Sequence, residues 1–142
     1  MSIKPLYQTS ATATGGRDGQ AATDDGSFAV TLGTPKELGG NDQGNNPEQL
    51  FASGYAACFL GAMKFAASQD KALPRIPADA SVQATVGIGA RADKGFGLVV
   101  ALKVSLPGVE HGAAEALVAE ADTICPYSHA VRGNVEVTLS VV

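Results

Sequence analysis

Two cysteines are the side chains of this sequence best suited to redox or nucleophilic chemistry. Cys58 lies inside an uncharged apolar stretch, and Cys125 begins the run Cys-Pro-Tyr-Ser-His. A thiolate attacks electrophiles, and two thiols that meet can form a reversible disulfide. A single cysteine in an apolar helix is more often a packing residue than a reactive one. The pair therefore indicates redox chemistry more strongly than either thiol does alone.

Other polar side chains leave several readings open. Arg17 lies in a glycine-rich turn and Glu48 at the start of the apolar stretch, where such residues more often face solvent or cap a helix. For Ser128, packing or capping is the commoner role. His129 can serve with Cys125 as a metal ligand or a base, but two Cys and two His supply a zinc site poorly. We therefore expect no metal site.

The composition is that of one ordinary domain. A chain of 142 residues predicts a single domain over 1–142. The net charge of −4, with ten scattered Lys and Arg, argues against nucleic acid or an anionic membrane as a partner. No apolar run near the start resembles a signal peptide, so we expect a cytoplasmic protein, in a compartment where thiols stay reduced.

The element that must position the first cysteine is a helix predicted over 46–69. Asn46 can cap it, Pro47 suits the first helical position, and Gln49 can complete a capping box. Residues 50–63 carry no charge and are apolar or small on every side, which predicts a helix buried all round. This stretch is too short to cross a bilayer, which needs about 20 residues.

Apolar alternation predicts six strands around this helix: three short ones before it, two joined by a hairpin at 93–95, and one at the C-terminal end. A second helix follows Pro107 and buries a stripe of Ala, Leu and Val. A short third helix is predicted over 126–131, with Cys125 at its N-terminus, where a thiolate is favoured. The order β-β-β-α-β-β-α-α-β predicts an α+β domain with a largely antiparallel sheet around a long buried central helix.

Four segments together closely resemble the organic hydroperoxide resistance (Ohr) proteins of the OsmC/Ohr family. They are residues 15–19, 46–59, 86–89 and 125–134, and the likeness extends over nearly the entire chain. The long helical segment and Cys-Pro-Tyr-Ser are specific in combination. The sequence departs from the family at Ser53, at Met63 and in the loop before the helix, and the resemblance implies the OsmC/Ohr-like fold.

The resemblance also implies a thiol peroxidase that reduces organic, alkyl and lipid-like hydroperoxides to alcohols. Cys58 would attack the peroxide and become a sulfenic acid, and Cys125 would resolve it to a disulfide. Arg17 would stabilise the Cys58 thiolate, and Glu48 would orient Arg17 through a two-pronged hydrogen bond. The resemblance implies no bound cofactor, and dihydrolipoamide or a lipoylated protein as the reductant.

Apolar neighbours of Cys58 predict a hydrophobic pocket. Phe59, Met63 and Tyr127 are the candidate substrate-binding residues. Such a pocket offers few hydrogen bonds to a small polar peroxide, so bulky organic hydroperoxides should outcompete hydrogen peroxide.

The spacing of Glu48 and Cys58 predicts a homodimer. The two residues are ten positions apart, or about 15 Å along an unbroken helix. The simplest arrangement that brings Glu48 to a thiolate is two copies of the helix crossing antiparallel about a twofold axis, with Glu48 facing the partner's Cys58. Ser53 is the midpoint, between the small residues Ala52 and Gly54. We therefore expect an intertwined homodimer with two shared active sites.

Two other functions remain open from the sequence. One is an OsmC-type peroxidase with broader substrates and another reductant. The other is a non-catalytic dithiol redox sensor or small-molecule binder that uses the disulfide as a switch. Continuous consumption of peroxide distinguishes an enzyme from either form of switch.

Overall fold

The structure, a computed structural model, describes residues 2–142 and shows the predicted order of elements. The strands are β1 Ala11–Thr14, β2 Gln20–Thr23, β3 Ala29–Thr31, β4 Ser81–Ala90, β5 Phe96–Ser105 and β6 Glu136–Val141. The helices are α1 Pro47–Gln69, α2 His111–Ile124 and α3 Pro126–Val131. Two 3-10 helices, Gly16–Asp18 and Lys36–Leu38, lie before α1. The predicted α+β class is confirmed.

The described residues form two compact units, divided after Leu50. The first unit carries β1 to β3. The second, Phe51–Val142, carries β4 to β6, α2, α3 and most of α1. The prediction of one domain over 1–142 stays a prediction.

The first unit contains an antiparallel sheet in the order β1-β2-β3. Glycine is required in the turn between β1 and β2, because a Cβ at Gly19 would lie 1.7 Å from the carbonyl oxygen of Thr14. At Gly15, in the same turn, φ is +74°, a conformation that L side chains rarely adopt. The turn built in this way carries Arg17.

Helix α1 begins as the sequence predicts. The side chain of Asn46 accepts a hydrogen bond from the backbone N–H of Gln49 at 2.9 Å, and the side chain of Gln49 accepts one from the backbone N–H of Asn46 at 3.0 Å. Pro47 is the first helical residue, and the helix runs unbroken to Gln69. The predicted capping box is therefore confirmed.

Only one side of α1 is buried in the single chain, whereas the sequence predicts burial all round. The buried residues are Tyr55, Phe59, Ala62, Met63 and Ala66. The opposite side carries the exposed residues Ala57, Gly61 and Phe65, and Phe65 is 55% exposed. Among residues 2–142, α1 is the one helix long and apolar enough to cross a bilayer by length and composition. Its buried side, however, belongs to the core of the second unit.

The second sheet has the order β4-β5-β6. Strands β4 and β5 pair antiparallel from Ser81 opposite Ser105 to Ala90 opposite Phe96, with the turn at Gly95 that the sequence predicts. Strand β6 pairs parallel to β5, because α2 and α3 carry the chain back before β6 begins. The strands thus form two three-stranded sheets in place of one, and one of their pairings is parallel.

The core of the second unit lies between the sheet, α1 and α2. Alternate residues of β5 enter it, as the alternation predicts: Val100, Leu102 and Val104. The apolar stripe predicted for α2 is confirmed by the burial of Ala114, Leu117, Val118 and Ala121. Cys125 and Val131 complete this core.

Candidate active site

The two cysteines lie side by side in the second unit. Their sulfur atoms are 3.7 Å apart, with the Cys125 thiol donating to the Cys58 sulfur. Neither cysteine forms a disulfide in the structure. A disulfide bond is about 2.05 Å long, so the sulfur atoms need to approach by only about 1.7 Å to form one. The pair is therefore placed for reversible oxidation.

Three helices position these thiols. Cys58 lies in the middle of α1 and is half-buried. Cys125 is completely buried. It is the C-cap of α2 and the N-cap of α3, and Pro126 is the first residue of α3. The proline ends one helix and begins the next, since it lacks the N–H that an interior position needs. The predicted short helix after Cys125 is confirmed.

Burial is the main influence on the Cys58 thiol and raises its pKa above the ordinary value. The backbone N–H of Tyr127 donates to the Cys58 sulfur and lowers that pKa, while the neighbouring Cys125 raises it. The second unit by itself thus favours the neutral thiol at Cys58. Chemistry that needs a thiolate therefore requires a positive charge near Cys58 that lowers its pKa.

Arg17 and Glu48 form the predicted two-pronged pair, within the first unit. The two guanidinium N–H groups donate to the two carboxylate oxygens at 2.9 and 2.5 Å. The Glu48 side chain is 12% exposed and that of Arg17 34%. The hydrogen bonds from Arg17 lower the pKa of Glu48, and the same bonds raise the pKa of Arg17. This ion pair therefore persists at neutral pH, and its action on a Cys58 thiolate stays a prediction.

The turn that carries Arg17 is fixed by a further hydrogen bond. The side chain of Asp18 accepts from the backbone N–H of Thr34 at 3.0 Å. Arg17 extends from this anchored 3-10 turn, while Glu48 extends from the first turn of α1. The ion pair thus joins two segments that lie 31 positions apart in sequence.

The sequence does not predict the hydrogen bond that the structure shows between two buried hydroxyl groups. The hydroxyls of Tyr55 and Ser128 are hydrogen-bonded at 2.8 Å, and the two residues are 0% and 2% exposed. Burial raises the pKa of Tyr55, which keeps its hydroxyl protonated. Tyr55 precedes Cys58 by three positions and Ser128 follows Cys125 by three. This equal spacing from the two cysteines is the one feature of the sequence that points to the pair.

The candidate substrate-binding residues differ in burial. Phe59 and Met63 are completely buried, whereas Tyr127 is 39% exposed. The ring of Tyr127 packs at 5.7 Å from that of Tyr55 and at 5.9 Å from that of Phe51, measured between centroids. The role of the three candidates in substrate binding stays a prediction.

No group of three or more His, Cys, Asp and Glu side chains in residues 2–142 could hold a metal ion. His129 is exposed on α3. Cys125 instead faces the sulfur of Cys58.

Comparisons with known proteins find close similarity over nearly the full length. The family described as OsmC-like protein matches residues 39–140. The chain is 51% identical over 138 residues to the organic hydroperoxide resistance protein of Xanthomonas axonopodis pv. citri (strain 306). This match covers 96% of this chain and 95% of that protein.

Solved structures give the same result for the fold. A crystal structure of an organic hydroperoxide resistance protein OsmC from Legionella pneumophila is 48% identical, with a TM-score of 0.91, and the match covers 97% of this chain and 98% of that one. An organic hydroperoxide resistance protein from Elizabethkingia anophelis is 45% identical, with a TM-score of 0.90 and 98% of both chains covered.

Proposed function

The chain belongs to the OsmC/Ohr family, and from this premise we propose that it is a cytoplasmic thiol peroxidase that reduces organic hydroperoxides to alcohols. The names of its relatives support the substrate class. The observation that carries the proposal is the 3.7 Å separation of the Cys58 and Cys125 sulfur atoms. Two thiols this close can pass through an oxidised and a reduced form without large movement.

The proposed cycle has three steps. The Cys58 thiolate attacks the peroxide oxygen, the O–O bond breaks, and the alcohol leaves after taking up a proton. The thiol of Cys125 then attacks the sulfenic acid sulfur, and water leaves as the disulfide forms. A dihydrolipoyl dithiol, free or on a lipoylated protein, reduces this disulfide by two electrons and becomes a cyclic disulfide.

Arg17 and Glu48 have supporting roles in this proposal. A half-buried thiol whose pKa is raised by burial needs a cation to become a thiolate at neutral pH. Arginine stays charged under all ordinary conditions and presents a planar set of donors. Glu48 fixes that plane through two hydrogen bonds, which supports an orienting role.

The proposed substrates are bulky and apolar. Cys58 packs against the apolar core that contains the completely buried Phe59 and Met63, and Tyr127 is the candidate with surface exposed to a substrate. Such surroundings favour binding through burial of apolar surface, which hydrogen peroxide cannot supply.

We propose further that the protein is an intertwined homodimer. The exposed side of α1 carries small residues and Phe65, and the N-terminal residues Ile3, Leu6 and Tyr7 are each at least 76% exposed. Exposed apolar surface of this kind typically marks an interface. A second copy that crosses α1 near Ser53 would cover the exposed side of the helix and bring Glu48 towards the partner's Cys58.

Turnover tests the proposed function. With cumene hydroperoxide and excess dihydrolipoamide, the wild-type protein should consume peroxide continuously, and Cys58→Ser should abolish the reaction. Cys125→Ser should allow one oxidation and then accumulate sulfinic acid at Cys58, visible by intact mass. One stoichiometric oxidation without turnover in the wild type would indicate a redox sensor instead. Turnover with other thiols but not with dihydrolipoamide would indicate the broader OsmC-type peroxidase.

A further inference from the structure

Besides the contacts of Tyr127, two pairs of polar side chains join α1 to the start of α3, and one of these pairs contains no sulfur. The first is the approach of Cys58 and Cys125 at 3.7 Å, and the second is the hydrogen bond of Tyr55 to Ser128 at 2.8 Å. Residues three apart on a helix lie on the same face. The hydroxyl pair thus repeats the pairing of the thiols about one helical turn away.

We propose that the Tyr55–Ser128 hydroxyl pair is a positioning device that holds Cys125 against Cys58 and thereby stabilises the disulfide and speeds its formation. This role in turnover rests on the proposed function. The effect on the equilibrium between dithiol and disulfide does not, because that equilibrium involves no peroxide.

Helix α3 needs such a device because it is short. It has six residues, and a helix of this length is unstable unless tertiary contacts hold it. Its buried residues are Ser128 and Val131. Of the two, Ser128 has a directional bond, and this bond reaches the helix that carries Cys58. Loss of the bond therefore loosens the position of Cys125 more than it changes the core.

A small cavity beside the two hydroxyls can hold water, so the loss of one hydroxyl should loosen α3 without unfolding the protein. It has a volume of about 200 Å³ and is lined by Tyr55 and Ser128 together with Asp122, Arg132 and Val137. A cavity of this size with polar walls can admit water. When one hydroxyl is removed, water can satisfy the other, so the protein should remain folded while the orientation of α3 is less restricted.

The test is an equilibrium titration in mixtures of reduced and oxidised dithiothreitol. The two protein thiols and oxidised dithiothreitol form the protein disulfide and reduced dithiothreitol, so the two electrons and two protons balance. Tyr55→Phe and Ser128→Ala should each lower the equilibrium constant for the protein disulfide by at most about fivefold, the usual effect of one hydrogen bond, because the equilibrium responds to the difference in its contribution between the dithiol and the disulfide. Fivefold corresponds to a reduction potential about 20 mV less negative for a two-electron couple.

The double variant distinguishes a shared bond from two separate effects. If the hydroxyls act through each other, Tyr55→Phe combined with Ser128→Ala should be no worse than either change alone. Ser128→Thr keeps the hydroxyl, and the adjoining cavity can hold its methyl group, so it should restore the wild-type potential. The matched control, Ser140→Ala, removes the same atom from an exposed residue and should leave the potential unchanged.

A second readout uses peroxide. After a pulse of cumene hydroperoxide, each single variant should show about five times more sulfinic acid at Cys58 by intact mass, because resolution is slower by the factor that one hydrogen bond contributes. Unchanged potentials in both single variants would overturn the positioning role, and so would additive effects in the double variant. If the potentials shift but no variant or wild type turns over peroxide, the proposed function fails and the positioning role stands.

Discussion

Gly54 offers a test in which the helix propensity and the packing next to the thiols oppose each other. It lies on α1, one turn before Cys58. A Cβ at this position would lie 2.8 Å from the hydroxyl oxygen of Tyr127 and 3.2 and 3.3 Å from two of its ring carbons. In a helix interior, alanine is more stable than glycine by about 1 kcal/mol. Propensity alone therefore predicts that Gly54→Ala stabilises the protein.

The packing of Tyr127 makes the expected effect of Gly54→Ala on stability unfavourable instead. Its ring must shift away from α1 to admit a methyl group, and it now packs against Phe51 and Tyr55 at 5.9 and 5.7 Å. Aromatic pairs of this kind contribute about 0.5–1.5 kcal/mol each beyond the burial of area. Disturbing both costs about 2 kcal/mol, which exceeds the gain in propensity. We expect Gly54→Ala to lower the free energy of unfolding by about 1 kcal/mol.

Urea unfolding of four proteins at one protomer concentration measures both terms. These are the wild type, Gly54→Ala, Tyr127→Ala and the double variant. In the Tyr127→Ala background the obstacle is gone, so Gly54→Ala should stabilise by about 1 kcal/mol. The two effects of one substitution thus have opposite signs. If Gly54→Ala stabilises equally in both backgrounds, the close approach of Tyr127 to α1 is wrong.

Three further predictions concern charge and assembly. Glu48→Gln should lower the free energy of unfolding at pH 7 by about 1 kcal/mol, a modest value because Arg17 is one-third exposed. Since the folded pKa of Glu48 is lowered, its contribution is present above the ordinary carboxyl pKa and lost as pH falls through the folded value. The difference in free energy of unfolding between the two proteins should therefore shrink as the pH falls below the ordinary carboxyl range, and a difference that is the same at neutral and acidic pH would contradict the ion pair. Arg17→Gln should raise the pKa of Cys58, measured by the ultraviolet absorbance of the thiolate, and an unchanged titration would remove Arg17 from the thiolate's surroundings. Ala57→Arg places a charge on the exposed side of α1 and should convert the proposed dimer to a monomer in sedimentation velocity; a monomeric wild type, or a dimer that tolerates the arginine, would exclude the crossing of helices near Ser53.

Local signals in the sequence were sufficient for the elements that position the thiols. The capping box at Asn46 and the proline after Cys125 depend on neighbours within three or four positions, and the structure confirms both. The stripe of α2 and the alternation of β5 follow from helix and strand periodicity. Each depends on the chain within a few residues, where sequence patterns are reliable.

Features that depend on distant pairing were not predictable in this way. The alternation of β6 is compatible with either direction of pairing, so its parallel pairing with β5 could not be read from it. Only one side of α1 is buried, because the other elements of the single chain cover only that side. The apolar composition of the helix does not show which side they cover. The bond between Tyr55 and Ser128 spans 73 positions. For Arg17 and Glu48 the residues alone favoured a solvated turn and a cap, and the family resemblance supplied the pairing.

In the proposed mechanism, the same carboxylate that fixes Arg17 would also weaken the effect of the guanidinium on the Cys58 thiolate. Burial raises the pKa of Cys58, and each unit of increase leaves about tenfold less thiolate at neutral pH. A guanidinium paired with Glu48 through both oxygens is largely neutralised, so its field at a nearby anion is weaker than that of an unpaired arginine. In the proposed mechanism, the pair would therefore gain a fixed orientation of Arg17 and lose part of its electrostatic field at the thiolate. If field were the dominant need, Glu48→Gln would lower the pKa of Cys58 and raise the rate of peroxide attack. The two-pronged geometry at 2.9 and 2.5 Å favours orientation instead, and the rate of attack should then fall in Glu48→Gln even where the thiolate fraction rises.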